Sequence, residues 1–437
     1  MNGLVAGIAQ TIITPPVGVD LCGFAGRPAP SQGIHDDLYA KALYLSNESG
    51  EVVLITADLI GLSAEEVAFI REILFRELGL PPDAVMITCS HTHSGPSTRC
   101  IKWLGDWDEA YLAVLLRKIA SVAIMAAKHT SPASVGWMRE EVCIHVNRRE
   151  RTKEGIRLGV RPDGLTLPWV DVLAVNGSGG RPLARWFSHA AHPVTLGGNN
   201  VLISADWPGY AQRAIEGAQA GCTALFAQGC CGNLNSHPRG TFEIAQQQGW
   251  IVAGAVVKAA ALAQTTGEIV IDHASEIVSL PLQDPPPVEQ AEKILQQKRE
   301  ALAQAGDDTA YQMRKTLAGY VKWAEELVDM ARRGVKGMTI PFEIHAIRIG
   351  DTVIVGLPGE VFAEYAVNIA KVSPASHTVV VAYTNGNFGY VPTRQAFGEG
   401  GYEVDHAYHF YLPTMLTDQC EELILQGAER LLKSLLQ

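Results

Sequence analysis

The sequence predicts an α/β fold, a layered mixed sheet with flanking helices, built by all 437 residues (1–437) as a single domain. Three observations predict it. Short aliphatic and β-branched runs alternate with amphipathic stretches, the pattern of strands and covering helices with at least partly parallel pairing. Hydrophobic residues make up 47% of the chain and charged ones 19%, enough apolar surface for a large core. No repeat or low-complexity tract breaks the alternation.

In chain order, Val52-Val53-Leu54-Ile55-Thr56 reads as a buried strand. Residues 64–78 follow with Val67, Phe69, Ile70, Ile73 and Leu74 at helical spacing behind the cap candidate Ser63. Ala84-Val85-Met86-Ile87-Thr88 is the next strand and 108–128 the next helix. Further strands are expected at 170–173, 184–188, 224–227, 342–349, 353–357 and 379–383, and helices at 208–218, 242–263, 360–371 and 417–435. From Val288 to Gly337 the composition turns to Gln, Lys, Arg, Glu and Ala, two polar-faced helices around 305–308 entered through Pro285-Pro286-Pro287. This insertion reads as a solvated hairpin; its functional reading is a lid or the contact surface of a homo-oligomer.

Composition excludes several classes. With 35 Lys+Arg against 46 Asp+Glu the formal charge is −11, so no basic face for nucleic acid is expected. No window of about 18 uncharged apolar residues occurs, so no membrane-spanning helix is expected. The start, Met1-Asn2-Gly3-Leu4-Val5-Ala6, lacks a basic and apolar leader, and the 8 cysteines follow no regular framework. Free thiols and a cytoplasmic location are the expectation.

Five clusters carry the chemistry. Ser90-His91-Thr92-His93-Ser94-Gly95-Pro96 follows a strand, and on an extended chain its two imidazoles would share one face. In Ser188-His189-Ala190-Ala191-His192-Pro193 the histidines are three apart, so only one should face a pocket. Gly356-Leu357-Pro358-Gly359-Glu360 reads as strand, turn and an acidic residue opening a helix, where a carboxylate favours the macrodipole. The fourth cluster, Thr384-Asn385-Gly386-Asn387-Phe388-Gly389-Tyr390-Val391-Pro392-Thr393 with Gly401-Tyr402-Glu403, has turn residues that would present Tyr390 to a pocket. In Gln228-Gly229-Cys230-Cys231-Gly232-Asn233-Leu234-Asn235 a strand runs into a small-residue loop, suited to anion-binding backbone N–H groups or to a plain turn.

In this order the five clusters resemble the neutral, non-lysosomal ceramidases, over the family's catalytic domain. His91-Thr92-His93-Ser94-Gly95-Pro96 matches its histidine motif, supported by Gly33-Ile34-His35-Asp36-Asp37 upstream and Leu202-Ile203-Ser204-Ala205-Asp206 downstream. The resemblance implies one zinc ion per chain, held by His91, His192, Glu360 and Tyr390; counting back from the 202–211 run selects His192 over His189. It also implies Tyr402 near the substrate, with His93 and Arg148 as further pocket residues. Two departures stand out. Asn235 occupies the position of a serine that the family uses in amide hydrolysis, and the chain stops before the family's immunoglobulin-like domain.

The implied chemistry is amide (C–N) hydrolysis of a soluble small-molecule substrate, since zinc lowers the pKa of water from 15.7 to about 7 and no serine nucleophile is then needed. His93 is the candidate proton carrier; Asn235, Arg148 and Tyr402 are candidate oxyanion donors. Asp206 is a candidate for orienting a ligand or capping a turn. The alternatives are a zinc-dependent esterase, lactonase or sugar-derivative hydrolase, and an inert metal-binding relative.

Overall fold

A computed structural model describes residues 3–437. Its centre is two sheets packed face to face. The larger has 8 strands in the order Thr223–Gln228, Pro182–His189, Trp169–Gly177, Thr130–Glu141, Val5–Ile12, Tyr39–Ser46, Glu51–Ala57 and Val85–Cys89. The smaller has 4, in the order Ile271–Pro281, Thr339–Ile349, Thr352–Gly356 and His377–Val381. Most neighbours are antiparallel; only the Glu51–Ala57/Val85–Cys89, Pro182–His189/Thr223–Gln228 and Thr352–Gly356/His377–Val381 pairs within these sheets run parallel.

Alternation along each strand sorts side chains into layers. Val52 and Leu54 join Leu173, Trp186, Ile347, Ile354 and Val379 in the core between the sheets. Val53 and Ile55 point the other way, onto Val67, Ile70 and Leu74 of the helix Ala64–Leu78 and Leu112, Leu115 and Ile119 of Glu109–Lys128. Phe187 and Phe226 meet the helices Asp206–Ala218 and Phe242–Leu262. On the outer face of the smaller sheet Val353 and Val355 meet Ala363–Val372 and Cys420–Leu435. The expected layered α/β fold is therefore a four-layer sandwich, helices–sheet–sheet–helices.

Local signals set the element ends. Ser63 and Glu66 form a reciprocal capping box, and Gly79 closes that helix in the left-handed conformation. Asp108 caps the next. Phe69 belongs to the expected apolar stripe but faces solvent, at 37% exposure. Glu360 does not open a helix. It begins the short strand Glu360–Val361, paired in parallel with Tyr390–Val391, and the helix starts at Ala363, whose N–H donates to Asn233 Oδ1. A side chain from another loop supplies the cap, which releases the carboxylate.

The helix Glu109–Lys128 corrects another expectation: by length and composition it is apolar enough to cross a bilayer. In the fold it packs on the larger sheet through Leu112, Leu115, Ile119 and Ala123. The insertion forms the helices Val288–Ala303 and Tyr311–Arg332. Only the second buries a full face, with Gln312, Thr316, Gly319, Trp323, Ala324, Leu327 and Val328. All 8 cysteines are free.

The two sheets are joined by backbone at one end. Thr88 pairs with Thr384 and Gly229 with Val381, while Ile87 N–H donates to Asn385 Oδ1. Gln228 Nε2 donates to Ser90 O at 3.1 Å, bringing together the outermost strands of the larger sheet. At the opposite end side chains link them, Ile271 N–H donating to Ser49 Oγ at 2.7 Å and Trp137 Nε1 to Ile349 O at 3.2 Å, beside an open pocket of about 890 Å3.

Candidate metal centre

The chemistry-bearing loops all leave strands at the joined end, as α/β enzymes arrange their sites. His91 follows Val85–Cys89, His192 follows Pro182–His189, Asn235 lies beyond Thr223–Gln228, Glu360 beyond Thr352–Gly356 and Tyr390 beyond His377–Val381. The His91–His93 segment is not extended, because His91 has φ 64°. Positive φ at Tyr383 and Asn385 adds to the strain here, a conformation that non-glycine residues keep only where their surroundings impose it. The shared pocket of the two imidazoles thus arises from a turn.

His91, His93 and His192 bring one ring nitrogen each within 4.8 Å of one another, a group that could hold a metal ion. His93 Nε2 lies 3.2 Å from His91 Nε2. Glu360 Oε2 lies 3.1 Å from His192 Nε2 and 3.4 Å from His91 Nε2. His91, His192 and Glu360 are 1%, 0% and 2% exposed, whereas His93 is partly open.

The opposite ring nitrogens decide what this arrangement asks for. His91 Nδ1 faces Ile60 O at 2.6 Å, His93 Nδ1 faces Gly23 O at 3.2 Å and His192 Nδ1 faces Cys231 O at 2.7 Å. A carbonyl only accepts, so each Nδ1 carries the hydrogen and each neutral ring offers a lone pair at Nε2. With all three rings neutral, three lone pairs and a carboxylate oxygen converge and repel one another unless a proton or a cation sits between them. A cation relieves that repulsion, and backbone carbonyls on the far nitrogens are the usual support of metal-binding imidazoles. The spacing also fits: donors about 2.0–2.1 Å from a tetrahedral zinc lie about 3.3 Å apart.

Electrostatics agree. Burial pushes His192 down to about 4 against the pull of Glu360, and burial with its two imidazole neighbours holds His93 well below its ordinary value. Both rings are therefore neutral at pH 7, as ligation requires. Burial would raise Glu360, but His91 and His192 beside it hold it well below the usual carboxylate range. Tyr390 is raised by burial, opposed by Arg148 and reinforced by Glu360, so its phenol faces the carboxylate.

Around this centre runs a buried polar network. Arg148 Nε donates to Glu403 Oε1 at 2.9 Å and Nη1 to Asn235 Oδ1 at 3.2 Å, and its guanidinium lies 5.2 Å from the Tyr390 ring centroid. Its Nη2 is buried with no partner. Tyr402 stands edge-on to Tyr390, with ring centroids 5.8 Å apart. Ser236 faces away: its Oγ accepts from Thr195 and is wholly buried. Asp206 caps its turn, accepting from Leu196 N and Trp207 N, and touches no member of the cluster through those bonds. His189 turns from the centre toward His145, so only His192 of that motif reaches it. The Gly229–Asn235 loop acts as a brace: Cys231 O holds His192, Asn233 caps the helix, and a Cβ at Gly232 would meet Glu360 O at 2.3 Å.

Sequence reasoning missed three contributors. Tyr411 OH donates to Glu360 Oε1 at 2.5 Å. Tyr383 stacks on His91, with centroids 4.2 Å apart. Gly23, with φ 98°, leaves room for the His93 ring, which a Cβ would meet at 2.2 Å. None sits in a recognisable motif; only the glycine-rich turn Cys22-Gly23-Phe24 carried a weak local signal.

Fold and centre together define a four-layer α/β protein with a candidate metal-binding histidine group. No family model matches the chain. Two solved structures share its fold along its whole length. A neutral ceramidase from Pseudomonas aeruginosa is 20% identical, with TM-score 0.74 over 100% of this chain and 75% of that one. A ceramidase complexed with C2 is 17% identical, with TM-score 0.75 over 100% of this chain and 76% of that one. The fold is that of the neutral ceramidases, as the motifs led one to expect.

Proposed function

We propose that the protein is a zinc-dependent hydrolase that cleaves an amide bond in a compact, polar small-molecule substrate. The observation that carries this reading is the convergence of one ring nitrogen each from His91, His93 and His192 beside the buried Glu360 carboxylate. The ceramidase names of both structural relatives support amide cleavage.

In this reading His91, His192, Glu360 and Tyr390 hold one zinc per chain. A zinc ion there supplies Lewis acidity to the scissile carbonyl and acidifies water toward neutrality. His93 is assigned the proton, because it is the partly open imidazole and its Nε2 lies beside His91. The unpartnered Nη2 of Arg148, the Asn235 amide and the Tyr402 phenol are assigned to orient the carbonyl and to hold negative charge as it develops on oxygen. Such pre-set donors work best in an enclosed site such as this one.

The polar side chains of Arg148, Asn235 and Tyr402 around the centre support a polar substrate over a long acyl chain. Metal analysis of the purified protein together with turnover of parallel amide and ester panels tests the reading. Zinc near one per chain with amide turnover is the expected result; an active preparation free of metal would reject it. Asn235 favours one second reading, an esterase, lactonase or sugar-derivative hydrolase, because its amide binds hydroxyls and cannot attack. Ester turnover outpacing amide turnover would select it.

A further inference from the structure

The helical insertion reaches the candidate centre through a chain of contacts. Trp323, on the helix Tyr311–Arg332, donates its indole N–H to Pro413 O at 3.0 Å and meets the His409 ring edge-on at 4.0 Å. Tyr320, a turn earlier, lies 5.5 Å from His409 and 5.4 Å from Phe410 between ring centroids. Phe410 O also accepts from Lys102 N at 2.8 Å. The helix therefore clamps one side of the 408–413 segment and the 97–107 loop the other.

The residue so held is Tyr411, whose hydroxyl donates to Glu360 Oε1 at 2.5 Å. Its ring fills the notch left by Gly389, where a Cβ would come 2.9 Å from Tyr411 Cδ2. Gly389 O accepts the Glu360 N–H at 2.8 Å, so the phenol and the carboxylate share one backbone reference. With Oε1 occupied, Oε2 is the oxygen left facing His192 at 3.1 Å and His91 at 3.4 Å.

We propose that the 288–337 hairpin is a positioning device for the metal-binding carboxylate: Trp323 and Tyr320 fix the 408–413 segment, and Tyr411, a positioning residue, locks Glu360 so that a single oxygen faces the cation. The inference rests on the metal reading above and assigns the insertion a task beyond surface cover. Outer partners of metal ligands typically contribute 10–100-fold to affinity, which sets the expected size of the effect.

The test measures the zinc dissociation constant of the full chain by competition with a chromophoric chelator, and the visible absorption of the cobalt-substituted protein, for wild type, Tyr411→Phe, Trp323→Ala and the double variant. Tyr411→Phe should weaken zinc binding about 10–100-fold and alter the cobalt band, because the freed carboxylate can turn both oxygens to the metal. Trp323→Ala should weaken binding less, and should add nothing in the Tyr411→Phe background. Wild-type affinity and spectrum in Tyr411→Phe would overturn the proposal, as would a Trp323→Ala penalty of equal size in both backgrounds. Should Trp323→Ala fail to fold, Trp323→Phe keeps a ring and removes only the indole donor; its penalty must vanish beside Tyr411→Phe, and persistence overturns the proposal. Wild-type protein that takes up no zinc defeats the metal reading and this inference with it, whereas zinc uptake with an unaffected Tyr411→Phe defeats this inference alone.

Discussion

The molecule buries two groups of histidines close together, and their hydrogen bonds give them opposite meanings. In the first, Leu167 N–H donates to His145 Nε2, His145 Nδ1 meets His189 Nε2 at 3.4 Å, and His189 Nδ1 donates to Trp169 O at 2.7 Å. Every ring nitrogen has a partner of the right kind, and the chain of bonds ends on backbone. In the second, His91, His93 and His192 satisfy Nδ1 on carbonyls and turn their Nε2 lone pairs on one another and on Glu360. Burial lowers His189 and His192 alike to about 4, so the pKa does not separate these two. Direction does: one group is closed, the other is open toward a shared point. His189 and His192 sit three residues apart yet belong to different groups, because one ends a strand and the other lies in the turn beyond it.

Substitutions in the two groups should part accordingly. His91→Ala should lose zinc and reduce turnover to background, checked by metal content and single-turnover rates; retained metal at wild-type rate would erase the distinction. His93→Ala should keep zinc yet lose about 10²–10⁴ in kcat, the usual share of a proton-transfer group. If metal departs as well, His93 is a ligand and Tyr390 yields the fourth position. Asn235→Ala should cost about 10²–10³ in kcat at unchanged metal content, as for one lost oxyanion donor; an unchanged rate removes it from the site. In the closed group, His189→Phe strands the His145 N–H and should lower stability by about 1–3 kcal/mol in a denaturant titration. Zinc content and kcat should stay as in wild type, and a fall in either would tie the closed group to the centre.

Much of the architecture was legible because it was written locally. Ser63 with Glu66 fixed one helix start, Asp108 another, and the aliphatic runs at 52–56 and 84–88 their strands. The division into two sheets was not, since the strands Val5–Ile12, Thr130–Glu141 and Ile271–Pro281 mix buried and exposed residues and show no continuous apolar run. The motif histidines and Glu360 were legible as residues but not in their settings. Glu360 after Pro358-Gly359 has the local chemistry of a helix start, and only Asn233, far away in sequence, moves the cap to Ala363. Tyr411 was invisible: what gives it a role is a notch at Gly389 and a helix some 90 residues upstream, and one tyrosine in an aromatic run announces neither.

The backbone joints between the sheets at Thr88/Thr384 and Gly229/Val381 stitch together the strand ends from which the His91, Asn235, Glu360 and Tyr390 loops depart. A coordination shell with sub-ångström tolerance thus stands where the two sheets share backbone, so its donors inherit one common frame.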